Sequence, residues 1–393
     1  MTALKIMLVA GEASGDTLGA GLAAALRANA GPDGVTFVGV GGAKMAAQGV
    51  ESAFDIADLS LFGIFELASA VPRVLRRIDE TAQFARRERP DAVILIDSWG
   101  FTSRLAKRLR AQDPSLTLIK YVAPQVWASR PGRARSLAGM ADHLLAIQPF
   151  EPPYFKAAGL PTTFVGNPVL ARDYSGARPE RLRQAVGASS EDPLLLVLLG
   201  SRRGEVQRLA PPFEAALAQL KAARPTLRIV APAADSVADL VKDRLSRWPF
   251  EVHVVEGETA KLDAMRAATA ALACSGTVTT ELAMAGCPMI VAYRVHPLSA
   301  AVARMILRTR YITLINIAAG EAVAPEFLQD RCTGPNLAQA LAPLIDDPAR
   351  RQRQIEAQAD ALAKLGGGEG DPFDLAAKTV LDVLARKASA AAA

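Results

Sequence analysis

The fold of this chain is constrained most by a pattern in which a short, unbroken apolar segment ends in a polar turn and a helical segment follows. The pattern is clearest where Ala270–Cys274 meets the turn at 275–277, a helical segment at 278–285 and a second apolar segment, Met289–Tyr293. Apolar segments without polar alternation are typical of parallel strands that helices cover on both faces. Further strands of this kind are predicted at 4–9, 36–38, 92–96, 116–121, 143–147, 162–165, 194–199, 227–231 and 252–255. Alternating strands and helices favour the α/β class.

The alternation stops once and then restarts, which indicates two domains. A chain of 393 residues is longer than one hydrophobic core usually serves. After Asn167-Pro168 the sequence is polar, with Gly and Pro, until the strand pattern resumes at 194. We therefore expect a Rossmann-like domain at 1–170, a second at 171–370, and a C-terminal helix with a frayed tail at 371–393. The two domains are expected to face a central cleft.

Composition excludes several classes of protein. The chain has 45 basic and 40 acidic residues, and this small excess does not indicate a nucleic-acid partner. The three cysteines and three histidines show no metal-ligand spacing and there is no D-x-D sequence, so we expect no metal, no cofactor and a reduced cytosolic setting. No apolar stretch reaches the ~18 residues of a spanning helix, so any membrane association is expected to be peripheral.

The turn Ser275-Gly276-Thr277 is a candidate phosphate site. A small polar turn between a parallel strand and a helix points its amide groups outward, and the helix dipole favours an anion there. Glu281 lies one helical turn beyond Thr277, where its carboxylate would chelate the vicinal hydroxyls of a ribose. The alternative is an ordinary strand–helix turn with a solvated glutamate, and this segment alone leaves both open.

A second turn of the C-terminal half carries arginines. Gly200-Ser201-Arg202-Arg203-Gly204 follows the strand at 194–199, and Arg202 is placed to bind a diphosphate through two parallel hydrogen bonds. Asn316 and Glu326 are expected on a late loop that closes over the same ligand.

In the N-terminal half, polar residues follow two predicted strands. The turn with Glu12, Ser14, Gly15 and Asp16 follows the first strand, and its carboxylates suit hydroxyl or amide groups of a sugar better than an anion. Asp97 ends the strand at 92–96 and is a candidate general base. The alternative for Asp97 is a cap of the helix at 101–110. The spacing Gly19-x-Gly21-x-x-Ala24 falls inside a predicted helix and is not interpreted as a dinucleotide fingerprint.

An apolar segment at 59–67 interrupts the pattern and contains Phe62, Ile64 and Phe65. It predicts either a helix buried in the first domain or an apolar knob that enters a lipid surface. Arginine clusters at 73–89 and 130–135 suit phosphates or an anionic membrane face, although charge runs are commonly solvated helix faces.

Taken together, the motifs resemble the lipid-A-disaccharide synthase family, which has the GT-B glycosyltransferase architecture. The resemblance covers nearly the whole chain and depends on an ordered set of segments. These are GEASGD with LGAG at 11–21, FVGVGG at 37–42, YVAPQVWA at 121–128, FVGNP at 164–168, GSRRGEV at 200–206, SGTVTTEL at 275–282, NIAAGE at 316–321 and PEFLQ at 325–329. The chain departs from the family pattern D-x-P-[DE]-F at 97–101, where Trp99 and Gly100 replace the proline and the second acidic residue.

The resemblance implies an inverting transfer between two lipid-linked sugars. The donor would be UDP-2,3-diacylglucosamine and the acceptor 2,3-diacylglucosamine 1-phosphate (lipid X), giving a β-1,6-linked disaccharide and UDP. Asp97 would be the catalytic base. The UDP-sugar would contact Arg202, Ser275, Gly276, Thr277, Glu281, Asn316 and Glu326, and the acceptor side would include Glu12, Ser14, Gly15 and Asp16. Phe62, Ile64 and Phe65 would contact the membrane.

The resemblance also implies a cytoplasmic protein on the inner face of the bacterial inner membrane, in which an oligomer is possible. Alternatives are another UDP-sugar enzyme of the same architecture, such as an epimerase or a peptidoglycan-type transferase, and a non-catalytic nucleotide-sugar sensor. The replacement of two motif residues by Trp99 and Gly100 is the feature that supports a sensor.

Overall fold

The computed structural model of the chain describes residues 3–59, 63–366 and 370–392. The chain divides into two compact units, Met1–Ala171 with Gly367–Ala393, and Arg172–Gly366. The second unit is one continuous segment, whereas the C-terminal end of the chain completes the first. The described residues include no helix that is long and apolar enough to cross a bilayer.

In the first unit, strands and helices alternate along the sequence. The strands are β1 (Leu4–Ala10), β2 (Val35–Val40), β3 (Glu51–Ser52), β4 (Ala92–Ile96), β5 (Thr117–Tyr121), β6 (His143–Ala146) and β7 (Thr162–Phe164). The helices are α1 (Ala13–Ala30), α2 (Ala43–Ala46), α3 (Gly63–Glu88), α4 (Trp99–Gln112), α5 (Arg133–Ala138) and α6 (Pro152–Lys156), with a 3₁₀ turn at Ile56–Leu59.

The second unit repeats the alternation. Its strands are β8 (Leu194–Leu198), β9 (Arg228–Pro232), β10 (His253–Val255), β11 (Ala270–Cys274), β12 (Met289–Tyr293) and β13 (Glu326–Leu328). Its helices are α7 (Pro179–Ala185), α8 (Arg203–Ala223), α9 (Ala238–Leu245), α10 (Glu258–Ala267), α11 (Thr277–Met284), α12 (Pro297–Ile306), α13 (Leu314–Ala319), α14 (Gly334–Asp346) and α15 (Pro348–Leu365), with 3₁₀ turns at Asp235–Val237 and Gln329–Arg331. The last helix of the chain is α16 (Pro372–Ala392).

Each unit contains one parallel sheet of the Rossmann type. Among the described residues, the strand order is β3-β2-β1-β4-β5-β6-β7 in the first unit and β10-β9-β8-β11-β12-β13 in the second. The order reverses between β1 and β4 in one sheet and between β8 and β11 in the other. Open α/β sheets bind ligands at such switch points, outside the carboxyl ends of the strands. The predicted class, two Rossmann-like α/β domains, is confirmed.

The cores explain why the strands were predictable. Every residue of β4, β5, β8 and β11 is buried, so these strands contain apolar side chains on both faces of the sheet. The one charged residue within these four strands is Lys120 in β5, which is 2% exposed. A lysine at such a position needs polar partners inside the protein, and these are described below.

Helix α16 packs against α1 in the first unit, an arrangement that the sequence did not indicate. A Cβ atom placed on Gly21 would lie 2.4 Å from the ring of Phe373, so only glycine permits this close approach. Gly21 is therefore explained by the packing of α16 against α1. This agrees with the view that the glycine spacing in α1 is not a dinucleotide fingerprint.

Candidate active site

In the first unit, the turns that follow β1 and β4 meet at the switch point of the sheet. Asp97 follows β4 directly and is half-buried, and both Asp97 and Ser98 have left-handed backbone angles, with φ of 47° and 42°. The Ser98 hydroxyl donates a hydrogen bond to Oε1 of Glu12, at 2.8 Å. Residues other than glycine rarely adopt this conformation, and it persists where the surroundings hold it in place. The two turns therefore form one connected polar surface.

Lys120 supports this strained turn from inside the sheet. Its Nζ atom donates to the carbonyl oxygens of Asp97 (2.5 Å), Leu95 (3.2 Å) and Tyr121 (3.4 Å). Burial lowers the pKa of Lys120 to about 7, against the attraction of the Asp97 carboxylate, which raises it. Sequence reasoning missed this residue, although a lone cation within an otherwise apolar strand was a usable signal.

The remaining contacts of Asp97 fix its main chain and leave its side chain accessible. Its amide donates to the Tyr121 carbonyl at 2.9 Å, and its carbonyl accepts from Oγ1 of Thr102 at 2.8 Å. Within the described ranges, its carboxylate accepts no hydrogen bond. The N-cap of α4 is Ser98, so the alternative in which Asp97 caps this helix is not what the structure shows. The role of Asp97 as a base stays a prediction.

The turn after β1 begins α1 earlier than predicted, so Ser14 and Gly15 lie in its first turn. Ser14 is exposed and Gly15 is buried. Asp16 is 5% exposed, and its carboxylate accepts hydrogen bonds from three amides that precede or begin α2, those of Gly42 (2.8 Å), Met45 (3.0 Å) and Lys44 (3.1 Å). Asp16 therefore caps α2, and its contact with an acceptor stays a prediction.

In the second unit, the turn with Arg202 lies at the carboxyl end of β8, beside β11. Glu205 holds this turn: it is 8% exposed, and its Oε2 accepts from the amides of Ser201 (3.1 Å) and Arg202 (3.3 Å). A Cβ atom on Gly200, where φ is 102°, would lie 2.5 Å from that oxygen. The Arg202 side chain is 67% exposed and contacts Oε1 of Glu205 through Nη1 at 3.4 Å. The motif of an acidic residue three positions after a helix N-cap was the signal for Glu205.

The turn at 275–277 lies on the neighbouring strand, because Leu198 of β8 pairs with Ala273 of β11. Ser275 is half-buried, whereas Gly276 and Thr277 are exposed, and α11 begins at Thr277. Among the described residues, the amides of Gly276, Thr277 and Val278 donate to no protein group. Amides with no partner at a helix start, one strand away from an arginine, are suited to an anion such as a diphosphate.

Glu281 is engaged in ion pairs within the second unit. It is 9% exposed, and its two oxygens accept from Nη1 of Arg172 (2.5 Å) and Nζ of Lys261 (2.6 Å). The Tyr174 hydroxyl donates to its backbone carbonyl at 3.1 Å. A ribose that binds here would share the carboxylate with two cations, and that contact stays a prediction.

Asn316 and Glu326 do not lie on a loop, so that part of the prediction is wrong. Asn316 is in α13 and fully buried, and its amide group bonds the main chain of Ala324 at 2.7 and 2.8 Å. Glu326 begins β13 and accepts from the amides of Ile312 and Thr313 at the start of α13. A strand of three residues, such as β13, is too short to give a clear sequence pattern, so its polar residues were predicted to lie on a loop. Contacts of either residue with a ligand stay predictions.

Of the predicted membrane-contacting residues, Phe62 lies outside the described residues. Ile64 and Phe65 are in the first turn of α3, and their side chains are not among those described. Further along the helix, Val71 and Leu75 are 46% and 49% exposed, one helical turn apart, and Arg73 and Arg76 beside them are also exposed. This part of α3 therefore presents apolar and cationic side chains together.

Comparison with known proteins gives a family for this arrangement. Residues 6–377 match the family model described as lipid-A-disaccharide synthetase. The chain belongs to the lipid-A-disaccharide synthase family. A lipid-A-disaccharide synthase of Rhodospirillum centenum is 46% identical over 98% of this chain and 96% of its own, and that of Bradyrhizobium diazoefficiens is 43% identical over 96% of both. The resemblance inferred from the motifs is thus confirmed, as is the prediction of an enzyme of the glycosyltransferase class.

Solved structures share the fold at low sequence identity. A putative UDP-N-acetylglucosamine 2-epimerase from Listeria monocytogenes has a TM-score of 0.65 and 16% identity, over 97% of this chain and 95% of that chain. The Acinetobacter baumannii MurG structure has a TM-score of 0.54 and 15% identity, over 98% of this chain and 99% of that chain. At these identities the likeness extends to the fold alone.

Proposed function

We propose that this member of the lipid-A-disaccharide synthase family joins UDP-2,3-diacylglucosamine to lipid X, giving the β-1,6-linked disaccharide 1-phosphate and UDP. One observation carries the proposal. A chain that matches the family over residues 6–377 has an accessible carboxylate at one switch point and, at the other, two turns whose exposed arginine and helix-start amides suit an anion. The donor supplies the anion and the acceptor supplies the hydroxyl that needs a base.

In the proposed reaction, the acceptor 6-hydroxyl attacks C1 of the donor sugar as the bond from C1 to the UDP oxygen breaks. Asp97 takes the hydroxyl proton, and inversion at C1 gives the β linkage. Arg202 and the amides at 276–278 stabilise the charge on the departing diphosphate through charge-assisted hydrogen bonds. Support for these roles comes from the strained, supported turn at Asp97 and from the first-turn amides of α11.

The test uses purified full-length chain with both lipid substrates, and mass spectrometry of the product. Asp97→Asn should lower turnover ~10²–10⁴-fold while leaving UDP affinity unchanged. Asp113→Asn is a matched control, since Asp113 is an exposed carboxylate at the far end of α4. Unchanged turnover in Asp97→Asn would remove this residue from the mechanism. Consumption of UDP-sugar without acceptor would favour an epimerase, and UDP-sugar binding without any product would favour a sensor.

We further propose that the chain associates peripherally with the inner face of the inner membrane through α3, where its lipid substrates reside. Exposed Val71 and Leu75, with the arginines between and beside them, support this placement. Co-sedimentation with vesicles that contain anionic phospholipid should fall when Val71 and Leu75 are both replaced by serine. Equal co-sedimentation of the two proteins would contradict it. The possible oligomer remains a prediction that size-exclusion light scattering can check.

A further inference from the structure

A basic cavity lies along α4 in the first unit. It has a volume of about 710 Å³, within the ~300–1,000 Å³ range of small-molecule sites. It is lined by Trp99, Gly100, Ser103, Arg104, Lys107, Arg130, Gly132, Arg133, Ser136 and Met140. Helix α4 supplies the lining residues from 99 to 107, and this helix begins two positions after Asp97. The end of the cavity nearest to the proposed base is therefore two residues from it along the chain.

The cavity contains an uncompensated positive charge. Four of its lining side chains are cationic, and within the described part of the chain none of them has a carboxylate oxygen within 4.0 Å. The next cations along α4 behave differently, because Arg108 pairs with Asp79 and Arg110 with Asp142, both at 3.0 Å. Like charges gathered without a counter-ion destabilise a fold unless a ligand supplies the opposite charge. Along α4, the cations outside the cavity thus have carboxylate partners, whereas those that line the cavity have none among the described residues.

Two features hold these cations in place. The guanidinium of Arg133 lies over the indole ring of Trp99, 5.6 Å from its centroid. Nη1 of Arg104 donates to the carbonyl of Gly100 at 2.5 Å. Partial burial, and then repulsion from Arg130, lowers the pKa of Arg133. A bound dianion would relieve that repulsion.

Gly100 keeps the cavity open and free of negative charge. A Cβ atom there would have one neighbour within 4 Å, Nη1 of Arg104 at 3.9 Å. In this chain glycine leaves both the space and the charge available to a ligand.

We propose that this basic cavity binds the phosphate monoester of the acceptor sugar. The inference depends on the proposed function for the identity of the acceptor, and it adds the subsite that recognises the 1-phosphate. The 1-phosphate and the 6-hydroxyl lie at opposite ends of the sugar. A phosphate held among Arg104, Lys107 and Arg133 would therefore direct the hydroxyl away from the cations, toward the turn at Asp97.

The test measures binding of glucosamine 1-phosphate, and of glucosamine as its unphosphorylated counterpart, to the full chain by calorimetry. Arg104→Gln should weaken binding of the phosphorylated sugar about tenfold or more, because the cavity loses one of its cations. Arg108→Gln makes the same change outside the cavity and should change the affinity less than about threefold. Both variants should fold, since both arginines are exposed on α4 and glutamine is a good helix former.

A second arm separates the sugar phosphate from a membrane headgroup with the same chemistry. Vesicles of phosphatidylcholine with phosphatidic acid, which is also a phosphate monoester, should bind the Arg104→Gln variant as well as they bind the unchanged protein. Weaker vesicle binding with unaltered affinity for glucosamine 1-phosphate would assign the cavity to a lipid headgroup and overturn the proposal. Equal affinity for glucosamine and its 1-phosphate would overturn it as well. These outcomes can be distinguished from a failure of the proposed function, because in that case the unchanged protein would form no disaccharide product.

Discussion

Replacing Lys120 with methionine should remove a pH-dependent part of the stability of the first unit. Lys120 is 2% exposed, and burial lowers its pKa to about 7 from the 10.5 of a free lysine. Between these two values the unfolded chain binds a proton that the folded chain has released. Stability therefore rises with pH across this window, by at most about 1.4 kcal/mol per pH unit.

The size of the effect follows from the two pKa values. Between pH 7 and pH 9 the folded lysine goes from half protonated to almost fully neutral, while the unfolded lysine stays charged. Integrating the difference in bound protons over this interval gives a gain of about 2 kcal/mol in the free energy of unfolding. Methionine fills a similar volume and does not titrate, so Lys120→Met should lack this gain.

The assay is urea unfolding followed by tryptophan fluorescence, at pH 7, 8 and 9. Trp99 and Trp127 report on the first unit. The informative quantity is the pH dependence of the difference between the two proteins, because methionine also removes the hydrogen bonds to the carbonyls around Asp97. Lys156→Met, at an exposed lysine of α6, is the matched control and should follow the unchanged protein. If the free energy of unfolding depends on pH in the same way for the unchanged protein and for Lys120→Met, the claim that the buried lysine becomes neutral near pH 7 is refuted.

Three further predictions concern other contacts of the two units. Glu205→Gln should weaken UDP binding about tenfold, because the turn that presents Arg202 loses its charge-assisted hydrogen bonds. Calorimetry measures this affinity, and an unchanged value would show that the turn does not need this carboxylate. Gly21→Leu should destabilise the first unit by about 1–3 kcal/mol through overpacking against Phe373, and Phe373→Ala should restore part of that loss if the clash is the cause. Burial raises the pKa of Glu151 to about 7 from 4.5, so its contribution to stability is lost as pH rises through that window. The melting temperature of Glu151→Gln, measured relative to that of the unchanged protein, should therefore be higher at pH 8 than at pH 5. An equal difference between the two proteins at both pH values would contradict this.

The strands of both units could be predicted because each central strand is apolar on both faces. Predicted strands at 92–96, 270–274 and 289–293 coincide with β4, β11 and β12. Helix starts were harder to place: residues 14–16 were predicted in a turn, whereas α1 begins at Ala13, because Ala, Ser and Gly at its start give no apolar periodicity. The return of α16 to the first unit depends on long-range packing, which local patterns do not encode.

For the candidate site, the sequence indicated which strand ends carry polar residues but not what those residues contact. Gly276 and Thr277 are exposed, as the turn pattern implied, and Ser275 is half-buried. The carboxylates of Asp16 and Glu281 instead have partners from distant segments, amides at 42–45 and two cations. A carboxylate that caps a helix and one that binds a ligand look alike in a sequence, since the difference lies in which amides and cations the fold brings near.

The two switch points are supported by opposite charges, and this difference matches the role proposed for each unit. In the first unit, the buried Lys120, which is charged below about pH 7, gathers carbonyl oxygens around the turn, and the Asp97 carboxylate is the accessible negative group. In the second, the buried carboxylate of Glu205 gathers amides, and the turn presents the exposed guanidinium of Arg202. A buried charged side chain beneath a turn favours an accessible side chain of the opposite charge on that turn, because the two attract each other across a short, poorly screened distance. A base that accepts a proton and a group that stabilises a leaving anion need these opposite polarities, so reversing the charge of either support, as in Lys120→Glu or Glu205→Lys, should impair turnover more than neutral replacement does.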